Sequence, residues 1–373
     1  MPHIPFNTPY VGVGSRAGLE NAVKSDHLAG DGRHSFAASR LLNDLSGAEA
    51  CLLTTSCTHA LEMAALLLNI EPGDEVIMPS FTFVSTANAF ALRGARPVFV
   101  DIRPDTFNID ERLIEAAITV RTKAIVVVHY AGVGCEMDEV LSIANNHGLV
   151  VIEDNAHGLG GTYKGQKLGT FGSLSTLSFH ETKNVQCGEG GALLINDEAM
   201  IEPAEIIREK GTNRSRFFRG QVDKYTWVSV GSSYLLADIL AAFLLGQLEE
   251  FDFIQSRRHN VWSAYREGLA DWADSNGFTF QHCPSDREHP AHLFALLAPD
   301  LEQRQLMIEH LKEQGVNAVF HYVPLHSSPA GLQFGERDLP VTDSVSEQLL
   351  RLPLYPSLTD EQVAAVISAV RKF

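Results

Sequence analysis

Positive charge is what this sequence is short of: 29 lysines and arginines stand against 46 aspartates and glutamates, a formal net charge of −17. A nucleic-acid surface needs a basic stripe, so that class is excluded. A locally positive pocket for a small anion is not. Cysteine is nearly as sparse. The five present (Cys51, Cys57, Cys135, Cys187 and Cys283) are odd in number and show no C-x-x-C spacing. That argues against a disulfide framework and a structural zinc site, and for a reduced compartment. No apolar run approaches the length of a membrane span, and the opening MPHIPFNTPYVG lacks a basic segment followed by an apolar one. The expectation is a cytoplasmic protein with neither a membrane nor a nucleic-acid partner and no metal site. Internal repeats and low-complexity tracts are missing as well.

What is there is an ordinary globular balance, 45% hydrophobic and 20% charged over 373 residues. That length suits one large α/β domain and a smaller one. From about Ala48 to Asn196, short apolar runs alternate with helical patterns. THALEMAALLLNI reads as helix, EVIMP as strand, STANAFALRG as helix and ARPVFVDI as strand. The segment after NIDE reads as helix, KAIVVVHYAG as a buried strand, MDEVLSIANNHG as helix and LVVIEDNAHG as strand. This alternation predicts a mostly parallel sheet covered by helices on both faces. GGTYKGQKLGTFG predicts a hairpin. Past Phe251 the pattern changes: a long polar helix, short strands at FTFQ and HLFALLA, a helix at QRQLMIEHLKEQG, and a strand through NAVFHYVPLH. A last helix opens at TDEQ, a capping box of Thr359 and Gln362. The domains are therefore expected at 1–250, with an N-terminal arm, and 251–373.

Ligand-handling residues in such sheets gather at the carboxyl ends of the strands. Asp154 and Ser178–Lys183 fall at or just after such ends, and with two further pieces they make four that could carry chemistry. Lys183 follows SFHETK and precedes G-E-G-G, a turn that lets the backbone pass close to a ligand. A lysine is a nucleophile only when its amine is neutral, which burial or a nearby cation favours. Asp154 ends the strand LVVIED, where an unpaired carboxylate is expensive to bury. A loop hydrogen bond could satisfy it; so could the protonated ring nitrogen of pyridoxal phosphate (PLP), which an acid keeps cationic so that the ring draws electrons. Ser56, Cys57 and Thr58 open a helix whose free N–H groups suit a phosphate, with Ser178 as a further hydroxyl. An ordinary N-cap would use the same residue types. Phe81 and Phe83, spaced i, i+2 after a strand, offer one ring for stacking, unless both are core. The conjunction of the four favours a Schiff-base lysine.

EDNAH (153–157), SFHETKN (178–184) with GEGG (188–191), and HYVPLH (321–326) resemble the DegT/DnrJ/EryC1/StrS sugar aminotransferases. The resemblance runs from IPFN to LRLPLYPSLT, nearly the whole chain. It implies a PLP-dependent transferase of fold type I. It also implies that Lys183 forms the internal aldimine, that Asp154 pairs with the pyridine nitrogen, that Phe83 stacks on the ring, and that His157 lies near the phenolic oxygen. Cys57 (through its backbone), Thr58 and Ser178 would hold the phosphate. Two positions depart from the pattern: His157 stands where many members have Gln, and Gly231-Ser232-Ser233-Tyr234-Leu235 replaces G-x-N-Y-R. Ser233 would thus offer a weaker hydroxyl to the neighbouring subunit's phosphate, in a homodimer whose site lies at the interface. Tyr322 and His326 are candidate substrate contacts.

The stretch 205–235 is similar to the transaminases that make dTDP-4-amino-4,6-dideoxygalactose for enterobacterial common antigen. It implies L-glutamate as donor and dTDP-4-keto-6-deoxy-D-glucose as acceptor. The rivals are a keto-sugar dehydratase, which the resemblance implies would carry His in place of Lys183, a non-catalytic binding protein, and a plain amino-acid aminotransferase. For the last, no arginine can be singled out from sequence as a carboxylate clamp.

Overall fold

The protein is described here by a computed structural model covering residues 3–373; the first two residues of the opening segment lie outside the described residues. Its strands are β1 (Ala50–Thr54), β2 (Glu75–Pro79), β3 (Arg96–Val100), β4 (Thr122–Val128), β5 (Val150–Asp154), β6 (Thr162–Tyr163), β7 (Gln166–Lys167), β8 (Leu174–Ser178), β9 (Gly191–Ile195), β10 (Thr279–Phe280), β11 (Arg287–Glu288), β12 (Phe294–Leu297), β13 (Val319–Phe320) and β14 (Leu349–Leu352). Seven of them form one sheet in the order β1-β9-β8-β5-β4-β2-β3. Every pairing from β8 through β3 is parallel, while β9 runs antiparallel to both β1 and β8.

The central strands show why the sequence reads as unbroken apolar runs. In β4, Ala124 and Val126 enter one core cluster while Ile125 and Val127 enter another on the opposite face. Both faces are covered by helices, so period-2 alternation of apolar and polar residues is lost. The helix Met137–His147 stops at Gly148, whose φ of 64° an L side chain adopts only with strain.

A second sheet, β10-β12-β14-β13, is antiparallel throughout. The 26-residue helix Phe251–Asn276 supplies Tyr265 and Leu269 to its core, and the capped helix Asp360–Val370 supplies Val363 and Val366. The predicted capping box of Thr359 and Gln362 is present in both directions. Ile4 packs in this same core and exchanges backbone hydrogen bonds with Gly315 and Asn317. A fourth cluster joins the two sheets through Phe81, Tyr130, Leu293 and Leu349.

The hairpin expected in GGTYKGQKLGTFG is β6–β7, extended by β11. Two expectations differ. After NIDE the chain makes only a 3₁₀ turn, Glu111–Leu113, and a four-residue helix, Ile114–Ala117, because the β-branched run Ile118-Thr119-Val120 leads straight into β4. In NAVFHYVPLH only Val319 and Phe320 are strand. His321 to His326 is a loop, which Pro324 keeps out of the ladder.

Candidate active site

At the carboxyl ends of the parallel strands a cavity of about 590 Å³ opens toward the smaller sheet. Lys183, Asp154, His157, Cys57, Thr58, Phe83, Ser178 and Tyr322 all line it. Asp154 is the last residue of β5, paired with Thr176 of β8. It is buried and, among the described residues, carries no ion pair with a lysine or arginine. Its Oδ2 accepts from the Thr86 hydroxyl at 2.7 Å, and its Oδ1 accepts from the Ala156 N–H at 3.3 Å. Burial raises its pKa, and those two donors oppose the rise. Directly behind it, Glu153 accepts from the backbone N–H groups of Gly169, Phe171 and Gly172 and pairs with His129 at 2.9 Å. The end of β5 is thereby fixed from beneath.

Lys183 stands in the turn that follows β8, with its own N–H donating to the His180 carbonyl at 2.9 Å. Next to it, the Asn184 amide donates to the Pro290 carbonyl at 2.7 Å and to Gln255 at 3.0 Å, and His292 Nδ1 donates to Asn184 Oδ1 at 2.9 Å. Burial lowers the Lys183 amine to about 8, against the opposing pull of Cys57 and Asp154 and with help from Arg351. A minor neutral fraction, about a tenth at pH 7, is therefore present, far more than an ordinary lysine offers. Cys57 is pushed up to about 12 by burial and stays a thiol.

The helix Cys57–Leu67 starts at the cavity wall. Ser56 is spent as its N-cap, accepting from the His59 N–H at 3.1 Å, so the N–H groups of Cys57 and Thr58 in the first turn are left for a ligand. The Thr58 hydroxyl pairs with Ser85 at 2.7 Å. Gly191 lies under this turn: a Cβ there would meet the Ser56 carbonyl carbon at 2.3 Å and the Cys57 nitrogen at 2.4 Å. The glycine-rich turn thus lets β9 press against the helix start.

Of the two phenylalanines, Phe83 is 57% exposed on the cavity wall, with its ring 6.5 Å from that of Tyr322; Phe81 is core. His157 is buried and neutral, its pKa pulled well down by burial, then by Lys183 and Arg351. The Ala131 N–H donates to its Nδ1 at 3.2 Å, so the ring carries its proton on Nε2. His292 stacks on it at 4.2 Å.

His326 is a correction. It is 3% exposed and off the cavity wall, with Nδ1 2.8 Å from Ser80 Oγ, while its backbone N–H donates to the same oxygen at 3.0 Å. The second half of HYVPLH turns inward, so this histidine braces the loop against Ser80 and does not line the cavity. Ser233 is exposed and away from this cavity, bridged to Glu209. Sequence reasoning missed Thr86, His292, His321 and Arg351, which also border the site or its acid. Thr86 had a local signal, its i, i+4 spacing from Thr82 at a helix start, and His321 and Arg351 lie inside HYVPLH and LRLPLYPSLT, which carry the resemblance.

The profile of the DegT/DnrJ/EryC1/StrS aminotransferase family matches residues 14–371. The spore coat polysaccharide biosynthesis protein SpsC of Bacillus subtilis is 38% identical over 335 residues, 87% of this chain and 85% of that protein. Among solved structures, Spr1654 of Streptococcus pneumoniae in its PLP form superposes with a TM-score of 0.91 at 28% identity, covering 99% of this chain and 98% of that one. PseC of Helicobacter pylori, an aminotransferase involved in the biosynthesis of pseudoaminic acid, gives the same score, identity and coverage. The chain belongs to the DegT/DnrJ/EryC1/StrS aminotransferase family, which is PLP-dependent. The residues present fit that cofactor: a buried acid awaiting a cation, a neutralisable amine, and helix N–H groups facing the same cavity.

Proposed function

We propose that this member of the family moves the amino group of L-glutamate to C4 of dTDP-4-keto-6-deoxy-D-glucose, giving 2-oxoglutarate and dTDP-4-amino-4,6-dideoxygalactose. The observation that carries the reading is Lys183, with its amine lowered to about 8, in one cavity with a buried Asp154 that forms no ion pair with a lysine or arginine among the described residues.

Lys183 would hold PLP covalently, Asp154 would pair with its ring nitrogen, and Cys57 N–H, Thr58 and Ser178 would hold its phosphate. When bound, PLP supplies an electron sink for the carbon losing its proton. Lys183, once displaced by the amino donor, would take the proton from the donor's α-carbon as a neutral base and deliver it across the transferred nitrogen, to the carbon the lysine had been joined to. Its lowered pKa suits both steps. Asp154 stays anionic opposite the ring cation, which reverses the burial penalty it carries alone. His157 would donate Nε2–H to the ring oxygen, and Phe83 would cover one face and shed water from it. The same residues run the second half-reaction backward on the keto sugar.

The acceptor we assign rests on the sequence of 205–235 and on the cavity opening toward Tyr322, between the domains we place at 1–250 and 251–373. We further assign a homodimer. Phe218 is 70% and Trp227 75% exposed on the segment leading to Ser233, an apolar surface that a second copy would cover. Ser233 would then reach the partner's site.

The test is a panel of acceptors with the purified enzyme and L-glutamate, reading 2-oxoglutarate release. Release with dTDP-4-keto-6-deoxyglucose and not with free keto sugars supports the assignment. Release only with a UDP-linked or 3-keto sugar moves it to another nucleotide or position.

A further inference from the structure

Arg351 is the cation in this cavity that the mechanism above leaves unused. It sits on β14, the strand held between β12 and β13, opposite Ala295 on one side and Val319 on the other. Leu350 and Leu352 on this strand enter the core of the smaller sheet, so alternation sends Arg351 out of the opposite face, into the cavity wall. Its guanidinium lies 4.8 Å over the ring of Phe6. Its Nε is shut off from solvent without a hydrogen-bond partner. Among the described residues no carboxylate pairs with it. Burial weakens its hold on its proton, yet a guanidinium stays charged in proteins.

Beyond the Phe6 ring and the hydroxyls of Tyr130 and Tyr322, its surroundings add no anion among the described residues. His157, His292 and His321 are all pulled well below the ordinary histidine range, by burial first and then by positive neighbours that in each case include both Lys183 and Arg351. A buried cation left unpaired works against the fold. Such a residue is understandable where the ligand brings the anion.

We propose that Arg351 clamps a carboxylate of the amino donor, and of the keto acid it becomes, as a bidentate guanidinium–carboxylate pair. The inference rests on the aminotransferase reading and deepens it. A donor's carboxylate is one bond from the α-carbon whose proton Lys183 moves, so its clamp must share the cavity with Lys183. Arg351 and Lys183 meet that condition, since both line the one cavity. A sugar nucleotide reacting at C4 carries its diphosphate on the far side of the ring, away from the amine. After the keto acid leaves, the guanidinium is bare until the next donor arrives.

The test uses the holoenzyme with Arg351→Met and Arg351→Lys. Single-turnover loss of the cofactor's visible band is followed against L-glutamate concentration. Binding of glutarate, an unreactive dicarboxylate, and of dTDP is followed by calorimetry. Expected for Arg351→Met is a rise of roughly 10- to 100-fold in the half-saturating glutamate, loss of glutarate binding, and dTDP affinity within about twofold of wild type. Arg351→Lys should fall between. Without ligand, Arg351→Met should melt no lower than wild type. Unchanged glutamate and glutarate affinities overturn the proposal, whatever the melting temperature; so does a loss confined to dTDP, which makes the diphosphate the occupant. If wild type binds glutarate through Arg351 yet no amino donor bleaches it, the anion site stands and the aminotransferase reading fails.

Discussion

The Thr86 hydroxyl donates to Asp154 Oδ2 at 2.7 Å, and it pairs in turn with Thr82 at 2.8 Å. The acid at the end of β5 is therefore aimed by neutral donors, and among the described residues no lysine or arginine pairs with it. It keeps its charge available for a cationic ring.

Asp154→Asn preserves shape and removes that charge. It should lower the rate of the glutamate half-reaction on the order of 100-fold or more, measured by stopped-flow loss of the visible band. Thr86→Val should cost far less, roughly tenfold, because only the aiming bond is lost. Equal effects would move the role from charge to position.

Lys183 carries the pH dependence. Its amine titrates near 8 in the folded chain against an ordinary 10.5. Below pH 8 it is charged in both folded and unfolded chains, and the burial penalty acts in full. Between 8 and 10.5 the unfolded chain holds a proton that the folded chain has released, so stability rises with pH. In cofactor-free protein, Lys183→Met should be more stable than wild type at pH 7, by on the order of 3 kcal/mol at most. The gap should close by pH 10.5. PLP capture by wild type should speed up with pH and level off near 8, since only the neutral amine attacks an aldehyde.

Much of this site is legible in the residue order. Lys183, Asp154 and the first turn at Cys57 and Thr58 each sit at a strand end or helix start, which local pattern locates, and the sheet then brings such ends together. Phe83 over Phe81 is what the resemblance implies; an i, i+2 spacing puts both rings on one face of a strand and cannot separate them. The rest is set by packing between distant segments. Arg351 lies on an apolar strand whose period says only that it points away from Leu350 and Leu352; what it points into depends on how the smaller sheet meets the larger. His292 acts through Asn184, 108 residues away. His326 misled because a proline-shaped loop can turn a ring donor inward as easily as outward.

His157 donates from Nε2 because the Ala131 N–H occupies Nδ1. An amide can donate in its place. His157→Gln should stay within about tenfold of wild-type kcat/KM, while His157→Leu should lose roughly 10- to 100-fold. The absorbance band of His157→Leu should also shift its pH dependence, and a side chain acting only by packing would leave that unmoved.

The homodimer we assign buries Trp227 and Phe218. Trp227→Glu combined with Phe218→Glu should shift sedimentation toward monomer and lower kcat by roughly tenfold or more, as loss of central interface aromatics does. A monomer with full activity would remove the partner's contribution through Ser233.

The most direct measurement is an absorbance spectrum of purified enzyme with PLP, taken before and after L-glutamate and again after dTDP-4-keto-6-deoxyglucose. The account predicts a visible band that L-glutamate bleaches and the keto sugar restores, and no such band in Lys183→Ala. A band of equal strength in Lys183→Ala, or no bleaching with L-glutamate or any other amino donor, would contradict it.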